Sequence, residues 1–393
     1  MTVTPAAPEV RAARNAVTAV FFLNGFAFAT WASRLPDTRA ALHLDPASLG
    51  ALLLMISLGS VLALPATGMW VQRFGAAKVV AVAAVVDGAG LLLAGVGAGL
   101  VQSVLPTGAG LFFLGLGSGA WDVAMNVEGA AVERRLKRSI MPRFHAAWSL
   151  GTVSGAGIGA LVTFLGAGIA WHAGLVALLV GGLPVFCVRS FLAPEAEQVA
   201  RRSASALSAW TEPRTLLLGL LVLAMALTEG VANDWLAVGL VDGYDVPAWV
   251  GAAGFALFVT SMTTGRVLGT TLLDRYGRLP VLWASMAVAA VGVLLVVVGH
   301  FPLLIVAGIV CWGLGACLGF PIGMSAAADD PSRAAARVSV VSTLGYAAFL
   351  AGPPVLGFLG SQFGILPSLL LVSVLLIPSA LAVPAARPPN PLG

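Results

Sequence analysis

Long apolar runs separated by short polar turns fill the chain from end to end. A hydrocarbon core of about 30 Å takes roughly 20 helical residues to cross. Twelve runs approach that length: 14–33, 47–70, 78–98, 105–132, 144–168, 170–189, 214–238, 248–272, 280–299, 302–326, 337–359 and 363–384. In lipid every backbone polar group must be satisfied internally, so only helices or closed barrels cross, and runs this long predict helices. The pattern therefore predicts an all-α membrane protein with twelve transmembrane helices.

Composition agrees. Of 393 residues 59% are hydrophobic and only 10% charged, too few charges to cover a soluble protein of this size. Forty-seven glycines suit helices that pack through small residues. A net charge of +4 would by itself admit a nucleic-acid partner, so the distribution of the basic residues decides. With the loops assigned alternately to two sides, 18 of the 21 Lys and Arg residues, from Arg11 to Arg387, fall on one side. Arg34 and Arg39 fall on the other, and Arg266 lies inside span 8. The positive-inside rule then places both termini in the cytoplasm of a multi-pass inner-membrane protein. The basic charge follows from topology, and no nucleic-acid partner is expected. The basic residues before the first apolar run resemble a signal peptide, but with so many spans following, an uncleaved first helix is expected. Cys187, Cys311 and Cys317 sit in apolar segments without metal spacing and read as buried thiols.

The longest loop, 24 residues at 190–213, divides two six-span halves, 1–189 and 214–393. The halves echo each other. "GMWVQRFGAAKVV" (68–80) follows span 2 and "TTLLDRYGRLPVL" (270–282) follows span 8, 202 residues later. Two related six-helix halves around a central site are a transporter architecture.

"GTTLLDRYGR" (269–278) resembles the signature loop of the major facilitator superfamily, which implies two pseudo-symmetric six-helix bundles. Arg73, Asp274, Arg275 and Arg278 are then expected to act in gating by tying helix ends together. The first copy carries Gln72 where the family usually has Asp, so a weaker latch is expected there. The Gly-rich "LGTVSGAGIGALV" and "LGYAAFLAGPPVLGFLG" resemble the fifth and eleventh helices of the family. "GLGACLGFPIGMSAA", with Phe320-Pro321, is similar to the tenth helix of its fucose permease branch. The Asp122-x-x-x-Asn126 pair resembles a Glu-x-x-x-Asn of that branch, where the carboxylate is associated with proton coupling.

Ionisable groups inside a membrane are costly and are functional candidates by default. Asp122 lies 12 residues, roughly 18 Å, from Arg134 at the end of span 4, so near mid-depth. Asn126 shares its face. Span 7 repeats the spacing with Glu229 and Asn233. Asp122 and Glu229 are the expected proton-coupling residues. Asn126 and Asn233, with Trp121 beside Asp122 and with Asp234 and Trp235 nearer the outside, are candidate substrate contacts. Asn24, Trp31 and Arg34 at the outer part of span 1 join them, although an aromatic stripe also serves packing and Arg34 can simply snorkel. Arg266 is expected to pair with an acid or with carbonyls of an inner gate. Glu128 points elsewhere and is expected to meet loop arginines. Glu133 is expected to be solvated, His145 to be a solvated structural histidine, and Asp87 a structural hydrogen-bonding group.

The expected function is secondary active transport by alternating access. The expected cargo is a small polar, sugar-like solute in proton symport, handled by a monomer with no cofactor or metal. The rival expectation is a proton-coupled exporter of amphipathic or cationic compounds. A non-transporting membrane sensor is the alternative of another class. No P-loop, HExxH or GxSxG is present and no loop is long enough for a catalytic domain, so an enzyme is not expected.

Overall fold

The computed structural model describes residues 8–136, 140–192, 209–330 and 333–388. Most of the linker 190–213, and the basic residues Lys137, Arg138, Arg201 and Arg202, lie outside the described residues. Among the described residues the regular structure is helical throughout, with no strand. Eleven helical stretches are long and apolar enough to cross a membrane. The twelfth segment differs from the sequence expectation. Its apolar helix runs only from Ile365 to Ala380, about 24 Å at 1.5 Å per residue, and it is broken at Leu369. Gly364, at φ 85°, ends the preceding helix, which fixes where this short one begins.

Contacts cluster the chain into two compact units, Met1–Glu197 with Pro247–Ala256, and Gln198–Val246 with Leu257–Gly393. In the first unit, α1 (Pro8–Ala32) leads through the short α2 (Leu35–Ala41) to α3 (Pro46–Phe74). Asp45 starts α3 by accepting a 2.6 Å hydrogen bond from the Ser48 N–H, with Pro46 in the first turn. Then come α4 (Ala76–Val96), α5 (Val104–Leu136), α6 (Met141–Phe164) and α7 (Ile169–Cys187).

In the second unit, α8 (Pro213–Val231) continues through a π turn at Ala232–Leu236 into α9 (Ala237–Tyr244). α10 (Ala248–Tyr276) contributes its first turns to the first unit and the remainder to the second. α11 (Arg278–Val298), α12 (Pro302–Ala316), α13 (Gly319–Ala327), α14 (Ala334–Phe363), α15 (Ile365–Ser368) and α16 (Leu370–Ala380) follow.

The repeat seen in sequence is also a repeat of packing. α1 packs on α6 in the first unit as α8 packs on α14 in the second. α4 lies between α5 and α7 as α11 lies between α12 and α16. Glycine makes the tightest crossings possible. A Cβ on Gly90 would overlap the backbone of Leu114, and one on Gly292, 202 residues later, the backbone of Trp312. The two copies of the signature loop likewise share one turn. Gly75 (φ 82°) and Gly277 (φ 77°) each join two helices end to end in a conformation that L side chains avoid.

Candidate functional site

In the first unit, Asp122 and Asn126 lie one turn apart on α5, both partly exposed. Asn126 Nδ2 donates to the Asp122 carbonyl at 2.8 Å and lies 3.3 Å from its Oδ1. The 3.6-residue period thus turns the sequence spacing into a real contact. Among the described residues, neither the Asn126 amide oxygen nor the second oxygen of Asp122 has a hydrogen-bond partner.

The other candidates of this unit are placed differently. Asn24 is buried between three helices. It donates to Ser118 Oγ (3.4 Å, α5) and accepts from Trp148 Nε1 (2.9 Å, α6). Trp31 and Trp121 are buried too, and their indole N–H groups find no partner among the described residues. Arg34 forms a clamp rather than a free end. Its guanidinium donates to Thr163 Oγ1 (2.6 Å) and the Ala167 carbonyl (2.8 Å), and Nε lies 3.1 Å from Asp37 Oδ2. Burial pushes the Asp37 carboxyl above its usual range, against the pull of Arg34 and Thr163.

Two readings of the α5 acids need correction. Glu133 is not merely solvated. Its Oε2 accepts from the backbone N–H of Ile140 (2.7 Å) and Met141 (2.8 Å), capping the start of α6. A carboxylate suits a helix N-terminus, where donors lack partners and the dipole is positive. Glu128 accepts at Oε1 from the Leu192 N–H (2.7 Å), a backbone group just past α7 rather than a loop arginine. His145 is exposed, with its ring edge-on to Phe21. Asp87 is buried in α4, and its Oδ2 finds no partner among the described residues.

In the second unit, Glu229 on α8 meets Arg266 on α10. Arg266 Nη2 lies 3.0 Å from Oε2 and 3.2 Å from Oε1. Arg266 Nε also reaches the Cys317 carbonyl at 3.4 Å. The arginine therefore serves both an acid and a carbonyl. Beside the pair, the Trp312 indole N–H donates to the Thr228 carbonyl at 3.0 Å, and sequence reasoning passed over this residue. Just beyond Glu229 the helix widens into the π turn that carries Asn233, Asp234 and Trp235. Such turns recur at functional sites because the extra residue loosens the hydrogen-bond ladder. Asn233 and Trp235 are buried, and Asn233 Oδ1 and Trp235 Nε1 find no partner among the described residues, while Asp234 is partly exposed.

The residues expected to act in gating divide. Arg73 lies over the ring of Phe74 and Arg275 over that of Tyr276, and Asp274 is exposed without an ion pair among the described residues. Arg278 ties the start of α11 to Asp329, just after α13. It donates to Asp329 Oδ1 (2.8 Å) and Oδ2 (3.0 Å) and to Ser325 Oγ (3.0 Å). Asp329 also receives Arg214 (2.9 Å), whose Nε holds the Ala385 carbonyl at 3.0 Å. Nearby, Glu212 pairs with Arg333 (2.6 Å) and Arg337 (2.7 Å). Burial raises the Glu212 pKa, but hydrogen bonds from Arg337 and Thr215 and the charges of both arginines outweigh it and hold it low. The only sequence signal for Asp329 was an acid pair, Asp329-Asp330, in the loop after span 10.

Among the described residues no group of three His, Cys, Asp or Glu side chains could hold a metal. The arrangement is one of polar and charged groups set into membrane helices and tied by side-chain contacts within each unit. A family model described as Major Facilitator Superfamily matches residues 248–392. An uncharacterized transporter of Sinorhizobium fredii is 33% identical over 346 residues, 87% of this chain and 90% of that protein. An uncharacterized MFS-type transporter of Yersinia pestis is 30% identical over 363 residues, 91% of each chain. The fold is similar to that of a point variant of nucleoside transporter NupG, with TM-score 0.80, 16% identity and coverage of 95% and 99%. It is also similar to a bacterial homologue of the human lysosomal transporter Spinster, with TM-score 0.74, 14% identity and 97% coverage of each chain. The loop motif, the doubled packing and relatives that span nearly the whole chain agree: this protein is a membrane transporter and belongs to the major facilitator superfamily.

Proposed function

We propose that this transporter moves a small polar, hydroxyl-bearing solute across the cytoplasmic membrane by alternating access, coupled to protons through Asp122 and Glu229. The observation that carries the reading is the ion pair of Glu229 with Arg266, inside segments otherwise apolar enough to span lipid. A carboxylate held there by one arginine changes its partner's surroundings when it takes a proton, since the neutral acid no longer neutralises the guanidinium. Asp122 provides a second carboxylate, on α5, with Asn126 beside it as an amide able to donate and accept. Amide and carboxylate groups match the alternating donors and acceptors of hydroxyl-rich solutes. Both termini are assigned to the cytoplasm, because the excess of Lys and Arg in one set of loops favours that orientation.

A thermal-shift screen of sugars, nucleosides, organic acids and cationic amphipaths on the purified protein tests the substrate class. Stabilisation by a hydroxyl-bearing solute, weakened by Asn126→Ala, is expected. Stabilisation by cationic amphipaths alone would replace the uptake reading with export.

A further inference from the structure

Span 10, Pro302–Ala327, is one helical stretch made of two segments. α12 stops at Ala316 and α13 begins at Gly319, and the two turn residues between them, Cys317 and Leu318, keep right-handed helical dihedrals while the hydrogen-bond ladder is interrupted. Pro321 explains the break. It has no N–H to give the carbonyl four residues back, which is that of Cys317. In a membrane segment a freed carbonyl must find another donor. Arg266 Nε is that donor, at 3.4 Å, while its Nη2 holds both oxygens of Glu229.

The surroundings leave little slack. Gly265, next to Arg266, faces the break so closely that a Cβ there would overlap Cys317 Sγ. Gly319, just after it, faces α8, where a Cβ would overlap Met225. Cys317 itself is 1% exposed. One guanidinium thus spans an acid on α8 and the released carbonyl of span 10, at a place where three helices meet within one unit.

We infer that Arg266 is a positioning residue through which the charge on Glu229 sets the geometry of a hinge at Cys317–Leu318. With Glu229 ionised, the guanidinium is fixed by two contacts and clamps the break. With Glu229 neutral, it loses its charged anchor, and the carbonyl of Cys317 is held less tightly. The part this hinge plays in transport rests on the proton-coupling reading above, whereas the hinge itself is read without any flux.

Cys317 is the built-in reporter. In a Cys187→Ser, Cys311→Ser background, N-ethylmaleimide labels Cys317 alone. Glu229→Gln is expected to raise its labelling rate about tenfold, the size of losing one charge-assisted hydrogen bond. Pro321→Ala restores the missing N–H, so Glu229→Gln added to that variant is expected to change the rate less than about twofold. An unchanged rate in Glu229→Gln, or the same rise with and without Pro321, would overturn the inference. Should Glu229→Gln not assemble, Arg266→Lys, which lacks the fork needed to reach both partners, replaces it with the same expected rise. Because labelling requires no substrate, the hinge fails or stands apart from proton coupling.

Discussion

Arg266 Nη2 lies 3.0 Å from Oε2 and 3.2 Å from Oε1 of Glu229, binding α10 to α8 with opposite charges inside the bilayer-spanning part of one unit. Removing one partner strands the other charge; removing both does not. Glu229→Gln or Arg266→Gln alone should destabilise by roughly 2–3 kcal/mol, allowing for partial exposure of the pair. The double substitution Glu229→Gln, Arg266→Gln should recover much of that loss. Thermal unfolding of the four proteins in detergent reads the cycle, and additive losses would contradict the pairing.

Asp329 anchors Arg278 and Arg214 together, so Asp329→Asn should loosen the ends of α8, α11 and α13 at once. A loss of about 1–3 kcal/mol is expected, because each hydrogen bond to a charged group contributes on that scale. Since Arg214 also holds the Ala385 carbonyl, the chain after α16 should become more open to protease in this variant. Asp274→Asn, at the acid the loop motif singles out, should leave stability nearly unchanged.

Gly75 and Gly277 take positive φ at equivalent turns, and Gly157 sits in α6 with open space around its Cα. Gly75→Ala and Gly277→Ala should each cost about 1–2 kcal/mol from left-handed strain. Gly157→Ala should instead stabilise by about 0.5–1 kcal/mol, as expected for a helix interior. Equal effects at the three sites, measured by melting temperature, would contradict the assignment of the turns.

How much of this was readable beforehand follows from which interactions are local. Asp122 with Asn126 is an i,i+4 pair, so the spacing alone revealed it. The twin turns at Gly75 and Gly277 showed as a repeat because a positive φ tolerates few residues other than glycine. The partners of Glu133, Glu128 and Arg278 lie 7, 64 and 51 residues away and are backbone N–H groups or a loop acid, for which no motif exists. The hinge at Cys317 was half visible. Pro321 announced a lost hydrogen bond, but only the folded chain shows that Arg266 supplies the substitute. The twelfth span looked full length because hydropathy does not register Gly364 ending one helix and Leu369 breaking the next.

The Glu212 carboxyl, held below its ordinary value of 4.5, gives a pH dependence of definite sign. A lowered folded-state pKa contributes stability that is complete above the ordinary value and is lost as pH falls through the lowered one. The melting temperature of the wild type should therefore drop on acidification below about pH 4.5 more steeply than that of Glu212→Gln. Parallel slopes would show that the Arg333 and Arg337 contacts do not hold the carboxylate.

Proton coupling is the central claim, and uptake into vesicles under an imposed pH gradient tests it most directly. With the solute found by the ligand screen, the wild type should accumulate it against its concentration gradient, and collapse of the pH gradient should abolish accumulation. Asp122→Asn should lose accumulation yet retain exchange of labelled for unlabelled solute across the membrane. Full pH-driven accumulation by both Asp122→Asn and Glu229→Gln would contradict the account.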